Sequence, residues 1–304
     1  MIDPVSLGAT LYVPATRPDV ASVILHARKH DLRSVVICLE DAVRPHDVPE
    51  ALLNLASFLA TLQSVPANAP RPLIFVRPRS PQMLGHILKL SAIECVDGFV
   101  IPKATADSMP EYMAELSHDH HMLMPTLETR EVFDPIEMRR LRDQLLVFQD
   151  RILAIRIGGN DLLQTMGARR SNCRTSYDGP LGPIIANLVA TYNPWGFQLT
   201  APVFEHFGNL ALLREEVERD LEHGLVAKTA IHPSQIDVIQ SCYAVDPMEL
   251  AEAQSILSHN AEAVFASRQT MCEPATNHGW ANLVQRRMRY FGAALSEVTG
   301  QVGT

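Results

Sequence analysis

The ionisable residues of this chain recur at one kind of place, the C-terminal end of a short apolar run. Residues 35–39 are all apolar and lead straight into Glu40 and Asp41. Other runs end on Arg77, on Lys103, on Glu128, on the pair Asn160 and Asp161, and on His232. Glu128 and Asp161 follow successive runs, so their carboxylates can meet at one place. Two carboxylates with open positions suit a hard divalent ion such as Mg2+, whose remaining ligands are water and substrate oxygens. Arg77 offers a fixed planar cation, suited to a carboxylate or a developing enolate oxygen. Plainer roles stand beside these. Glu128 can cap the next helix, Asp161 can pair with a nearby arginine such as Arg156, and Glu40 and Asp41 can simply mark where their strand reaches solvent, or Asp41 can cap a following helix. Gathering so many ionisable groups at one end of an apolar scaffold is nonetheless costly unless they bind something.

The scaffold itself is legible as a repeat of elements. Short apolar runs occupy 9–15, 34–40, 72–78, 98–103, 121–128, 152–159, 196–203 and 226–233. Their apolarity is continuous rather than alternating, which means burial on both faces, as in a parallel sheet. Amphipathic stretches lie between them. One opens on Asp134 and Pro135 with Glu137 behind, a helix start signal. Another carries Leu210, Leu213, Val217 and Leu221 on one face and stops at Gly224. Eight strands alternating with helices predict an α/β fold, a (β/α)8 TIM barrel over residues 1–240. A doubly wound open sheet fits less well, because no glycine-rich phosphate turn follows the first strand. In a barrel the C-terminal strand ends form the site, and these are the ends that carry the ionisable groups. Residues 241–304 are expected to form a C-terminal helical extension at a subunit interface, with helices over 246–268 and 277–295.

Composition narrows the class. The chain has 304 residues, 47% apolar and 20% charged, with a net charge of -8. An acidic balance argues against a general nucleic-acid surface. Five scattered cysteines show no zinc spacing and no disulfide framework. Neither a secretory signal nor a membrane-spanning run is present, so a cytoplasmic protein is expected. Arg17, in the first loop, can bind a substrate phosphate or carboxylate, or be a plain surface arginine. Lys103 can hold a substrate carboxylate, or pair with Glu128 or Asp41. Cys38 should point into the barrel beneath Glu40 as an inert thiol. The histidine-rich residues 118–121 precede the fifth strand, at the opposite barrel end, and read as a solvated loop. Residues 286–291, with three arginines, suit a subunit contact.

In order along the chain, "LYVPATRPD", "VVICLEDAVRPHD", "FVRPRS", "GFVIPKA", "MPTLET", "IGGNDLLQTMG" and "GLVAKTAIHPSQI" resemble the superfamily of the citrate lyase beta subunit and related aldolases and acyl-coenzyme A lyases. Singly these motifs are weak; in this order they are specific. The resemblance implies a magnesium-dependent carbon–carbon lyase acting on an oxo acid or an acyl-CoA thioester such as citryl-CoA or malyl-CoA. It implies Mg2+ held by Glu128 and Asp161, with Arg77 binding the substrate carboxylate or the enolate. Glu40 and Asp41 match family acids that position Arg77, order water or exchange protons. It also implies a homotrimer or hexamer. Two features depart from the pattern. Cys38 stands where many relatives carry an acid, and the C-terminal catalytic acid of acyl-coenzyme A lyases has no clear counterpart, Glu273 being the nearest. A thioester hydrolase or acyl transferase on the same site, and a non-catalytic barrel subunit, are the alternative functions.

Overall fold

Continuous apolar runs become parallel strands buried on both faces. The structure, a computed structural model, describes residues 2–26, 31–66, 69–116 and 121–294. The chain divides into two units, Met1–Ile239 and Gln240–Thr304. In the first unit the strands are β1 (Gly8–Pro14), β2 (Ser34–Cys38), β3 (Leu73–Arg77), β4 (Gly98–Ile101), β5 (Met122–Leu127), β6 (Ile155–Ile157), β7 (Leu199–Thr200) and β8 (Ala227–Ala230). Each pairs in parallel with its neighbours in chain order, and β8 pairs with β1. A bridge from Ala201 to Lys228 joins the β7 and β8 edges, so the sheet closes into a barrel. Helices follow the strands: α1 (Val20–His26), α2 (Val48–Gln63), α3 (Pro81–Ile87), α4 (Met109–Glu115), α5 (Pro135–Leu146), then α6 (Gly159–Thr165) and α7 (Leu181–Tyr192) in tandem, and α8 (Leu210–Glu222). The eight-stranded TIM barrel expected from the sequence is present. Leu7, Val36, Phe75, Val100, Met124, Leu153, Ala154 and Ala227 form one buried cluster in it.

Local signals explain the helix starts. The Asp134 side chain accepts from the Ile136 amide and Pro135 takes the first turn of α5, where a missing N–H costs nothing. On α8 Leu213 and Val217 are buried, as read from the sequence, but Leu210 and Leu221 are only partly so, and Leu212, Glu216 and Asp220 complete the buried face. Two acids can be buried there because Lys228, itself fully buried on β8, bonds both, at 2.9 Å to Glu216 and 2.8 Å to Asp220. Arg170 reaches Glu216 at 2.6 Å, and the Ser176 amide and hydroxyl donate to the same oxygen. Burial alone would raise the Glu216 carboxyl; the charges of Lys228 and Arg170 outweigh it and bring it to about 2. His121 also departs from expectation. It is 3% exposed, bonds the Ile93 carbonyl at 3.1 Å and packs edge-on against Phe99, rather than lying in a solvated loop. Residues 118–120 of that run lie outside the described residues.

The second unit holds α10 (Pro247–Ile256), a hairpin of β9 (Phe265–Ser267) and β10 (Thr270–Cys272), and α11 (Pro274–Phe291); α9 (Ser234–Tyr243) spans the boundary between the units. Asp246 caps α10 by accepting from the Met248 and Glu249 amides. The helix expected over 246–268 stops at Ile256, however. Beyond it the Asn260 amide is bonded by the Ser258 hydroxyl, a local bond that competes with helix continuation. The following residues turn into the hairpin through Arg268 and Gln269, both at positive φ. Its Cys272 joins Val245, Ala253, Ile256, Ala281 and Val284 in a small core. Arg287, expected on a partner face, is 8% exposed and bonds Glu249 and the Tyr243 and Ala244 carbonyls. All five cysteines are free thiols. Among the described residues no helix is long and apolar enough to cross a membrane.

Lys228→Met leaves Glu216 and Asp220 buried without their shared cation. Breaking one side of such a pair costs about 3–5 kcal/mol, and urea unfolding of the variant should read a loss of that size. A variant as stable as the parent would show that the network contributes nothing to holding α8 on β8.

Candidate active site

Alternation along the strands decides which side chains enter the barrel. Cys38 and Glu40 point the same way two residues apart, as do Thr126 and Glu128, and Arg156 and Gly158. All six line one cavity of about 350 Å³ together with Tyr12, Asp41, Arg77, Asn160, Asp161 and Thr229. The strand register puts Cys38 beside Arg77 and Thr126 beside Arg156.

Arg77 is the centre of this arrangement. It is 7% exposed, and its Nη2 donates to Glu40 at 2.8 Å and to Glu128 at 2.9 Å. Burial opposes its charge, but Glu128, Tyr12 and Glu40 outweigh burial and raise its pKa well above the ordinary arginine value. Its Nε is buried with no partner among the described residues. Glu40 also accepts from the Asp41 amide and from the Lys103 ammonium. Burial would lift the Glu40 carboxyl, yet Arg77 and Lys103 hold it down at about 2. Glu128 goes the other way. Burial, with repulsion from Asp161 and Glu40, overcomes Arg77 and the Lys103 amide and pushes it up to about 7. Asp41 is likewise raised by burial and by Glu40. The Cys38 thiol is raised by burial, in keeping with an inert group.

Neither plain role for the two acids on β5 and α6 is seen. Glu128 does not cap a helix: its Oε1 accepts from Arg77 and from the Lys103 amide at 2.8 Å. Asp161 does not pair with Arg156, and its carboxylate has no hydrogen-bond or ion-pair partner among the described residues. Gly158 is needed for this placement. A Cβ there would lie 2.3 Å from the Glu128 Cβ and 2.5 Å from its Oε2. The donor set fits a hard divalent ion. Two carboxylates that repel one another share one cavity wall, and a cation between them turns repulsion into attraction. Among the described residues no third His, Cys, Asp or Glu joins them as a metal cluster. The other positions of such an ion belong to water or substrate oxygens, as Mg2+ prefers.

Other residues singled out from the sequence lie elsewhere. Arg17 is outside the cavity lining, its guanidinium held by Asp19 through bonds of 2.9 and 2.7 Å. Lys103 is also outside the lining; its ammonium is taken by Glu40 and, at 3.4 Å, by Asp41. His232 bonds Ser234 and stacks on Phe207 at the surface. Glu273 belongs to the second unit, where it precedes α11 and accepts from the Thr276 hydroxyl. Arg156, Thr126 and Thr229 were missed as cavity residues. The period-two alternation from Glu128 and Gly158 would have placed Thr126 and Arg156 there.

A family model described as "C-C_Bond_Lyase of the TIM-Barrel fold" matches residues 1–293. The chain belongs to this family of carbon–carbon bond lyases. Among curated relatives of this lyase family member is a (3S)-malyl-CoA thioesterase from Cereibacter sphaeroides, 24% identical over 84% of this chain and 83% of that protein. Among solved structures, the CitE protein of Mycobacterium tuberculosis in complex with magnesium, acetoacetate and coenzyme A covers 93% of this chain and 98% of its own, at 22% identity and a TM-score of 0.68. The citrate lyase beta subunit of the same organism, complexed with oxaloacetate and magnesium, covers 80% of this chain and 99% of its own, at 21% identity and a TM-score of 0.58.

Gly158→Ala should force Glu128 out of its position. Overpacking of this kind costs about 1–3 kcal/mol, to be read as a lowered midpoint in thermal or urea unfolding. An unchanged midpoint would mean that Glu128 relaxes freely and that the glycine is not what places it.

Proposed function

We propose that the chain is a magnesium-dependent carbon–carbon lyase that cleaves or forms an aldol- or Claisen-type bond in an oxo acid or an acyl-CoA thioester such as citryl-CoA or malyl-CoA. The observation that carries this reading is the unpartnered carboxylate of Asp161 in the same cavity wall as Glu128, with Arg77 locked alongside. Glu128 and Asp161 are the residues that would hold Mg2+. When bound there, the ion supplies Lewis-acid polarisation of a substrate carbonyl and a template for chelating oxygens. The chain's own groups account for the rest. Arg77 presents a preorganised positive charge to the oxygen on which negative charge develops as the carbon–carbon bond breaks. Glu40 fixes the guanidinium and, being held ionised, keeps it from swinging away. Asp41, half exposed at the mouth with a raised pKa, is the group placed to exchange a proton with the substrate.

Hydrolysis of a thioester is the second reading, favoured by the curated relatives that are named thioesterases. Products separate the two. Scission of a malyl thioester yields an acetyl thioester and glyoxylate, whereas hydrolysis yields free malate and a thiol. Assembly into trimers or hexamers completes the proposal, and the second unit exposes Met248, Val264, Met271 and Trp280 as contact surface.

Thermal melting with Mg2+ plus oxaloacetate, pyruvate or an acyl-CoA is the first test. A ligand at a hundred times its Kd stabilises by about 2.7 kcal/mol, so a clear upward shift is expected only with metal and ligand together. Asp161→Asn should abolish both the shift and magnesium-dependent turnover while the circular dichroism spectrum stays that of the parent. Turnover at the parent level in that variant would remove the metal assignment. In sedimentation, a monomer at micromolar concentration would speak against the assembly.

A further inference from the structure

Arg156 differs from every other buried basic residue of arginine or lysine type among the described residues. Arg77, Arg170, Lys228 and Arg287 each have a carboxylate within ion-pair distance. Arg156 has none, although it is 2% exposed. Its contacts are the Thr229 hydroxyl at 2.5 Å, the Met124 sulfur at 3.8 Å and the Tyr12 ring, whose centroid lies 5.2 Å away. Neutral groups of this kind compensate poorly for taking a guanidinium out of water.

The surroundings are unfinished in a second way. Thr126 and Thr200 flank Arg156 in register on the neighbouring strands, so the three side chains face the same side of the sheet. Both threonines are buried, and both hydroxyls lack a hydrogen-bond partner among the described residues. Buried hydroxyls without partners are uncommon and call for an explanation. Arg156, Thr126 and Thr229 all line the cavity. Thr126 and Arg156 stand two residues before Glu128 and Gly158, so this row lies one layer below the proposed metal ligands. A missing anion with several acceptor oxygens would satisfy the guanidinium and the hydroxyls at once.

We propose that Arg156, with Thr126, Thr200 and Thr229, forms an anion-binding floor for a carboxylate, and that the substrate is therefore a small acid carrying a second carboxylate besides the group held near Arg77. The planar fork of Arg156 suits a carboxylate, and the limited cavity volume favours a short dicarboxylate. Calling the bound molecule the substrate rests on the lyase reading; the binding of a second carboxylate does not.

The test is calorimetric titration of the whole protein, in the presence of Mg2+, with malonate, succinate and glutarate against acetate, propionate and butyrate. A charge-assisted contact in a buried site should give at least one dicarboxylate about tenfold or more tighter binding than its monocarboxylate counterpart. Arg156→Met should erase that preference, and Arg156→Lys should retain part of it. Equal binding of all six acids by the parent overturns the anion floor and leaves the lyase reading standing. A preference that survives in Arg156→Met also overturns it. Failure of the parent to bind any of the six overturns both readings. Should Arg156→Met fail to fold by circular dichroism, the preference of the parent alone decides.

Discussion

The interior of this barrel depends on one buried contact, the Arg77 guanidinium donating from a single nitrogen to both Glu40 and Glu128. Three charged side chains from β3 and from the ends of β2 and β5 are thereby taken out of water together. Burying any one of them without the others would cost several kcal/mol, on the order of the penalty for an uncompensated buried charge. Their mutual placement consequently follows from the barrel: strand order makes β2, β3, β4 and β5 successive, and the register puts Cys38 next to Arg77. The Lys103 amide reaches Glu128 from the end of β4, so each of the four strands contributes to one cluster.

The cluster is not neutral in its effect on its members. Glu40, with two cationic partners, is held ionised, while Glu128 is pushed toward the neutral form by burial and by the acids beside it. Two carboxylates at the ends of β2 and β5 thus have opposite tendencies. Glu40 is suited to holding Arg77 in place. Glu128, crowded by Asp161, is suited to meeting an added cation, which supplies the positive charge that the protein alone leaves short.

A second charged network joins β8 to α8. Lys228, Glu216, Asp220 and Arg170 are as buried as the inner cluster, yet every charge there has its partner within the protein. The contrast separates structure from function. The second network is closed and fastens α8 and the segment before α7 to β8. The inner one is open: among the described residues the Asp161 carboxylate has no partner and, one layer down, Arg156 has no acid within ion-pair distance. Open valences of this kind in a cavity are what a ligand completes.

Much of this was written in local pattern. Eight apolar runs, each bounded by polar residues, determined eight parallel strands, because only strands covered on both faces need continuous apolarity. The ordered motifs ending on Glu40, Arg77, Glu128 and Asp161 pointed to the family and to the strand ends where chemistry belongs. Period-two alternation also fixed that Cys38 lies beneath Glu40. Three things required the folded chain. The burial of Glu216 and Asp220 on α8 was illegible because their partner, Lys228, and their neighbour, Arg170, come from other elements. The end of α10 at Ile256 was decided by a hairpin whose Cys272 packs into the core beside Ala253 and Ile256. The isolation of Arg156 was invisible because the absence of a counterion is a property of everything around a side chain. A sequence states which charges a chain carries and how each strand turns them, but whether a charge finds its opposite is settled only where strands far apart along the chain meet.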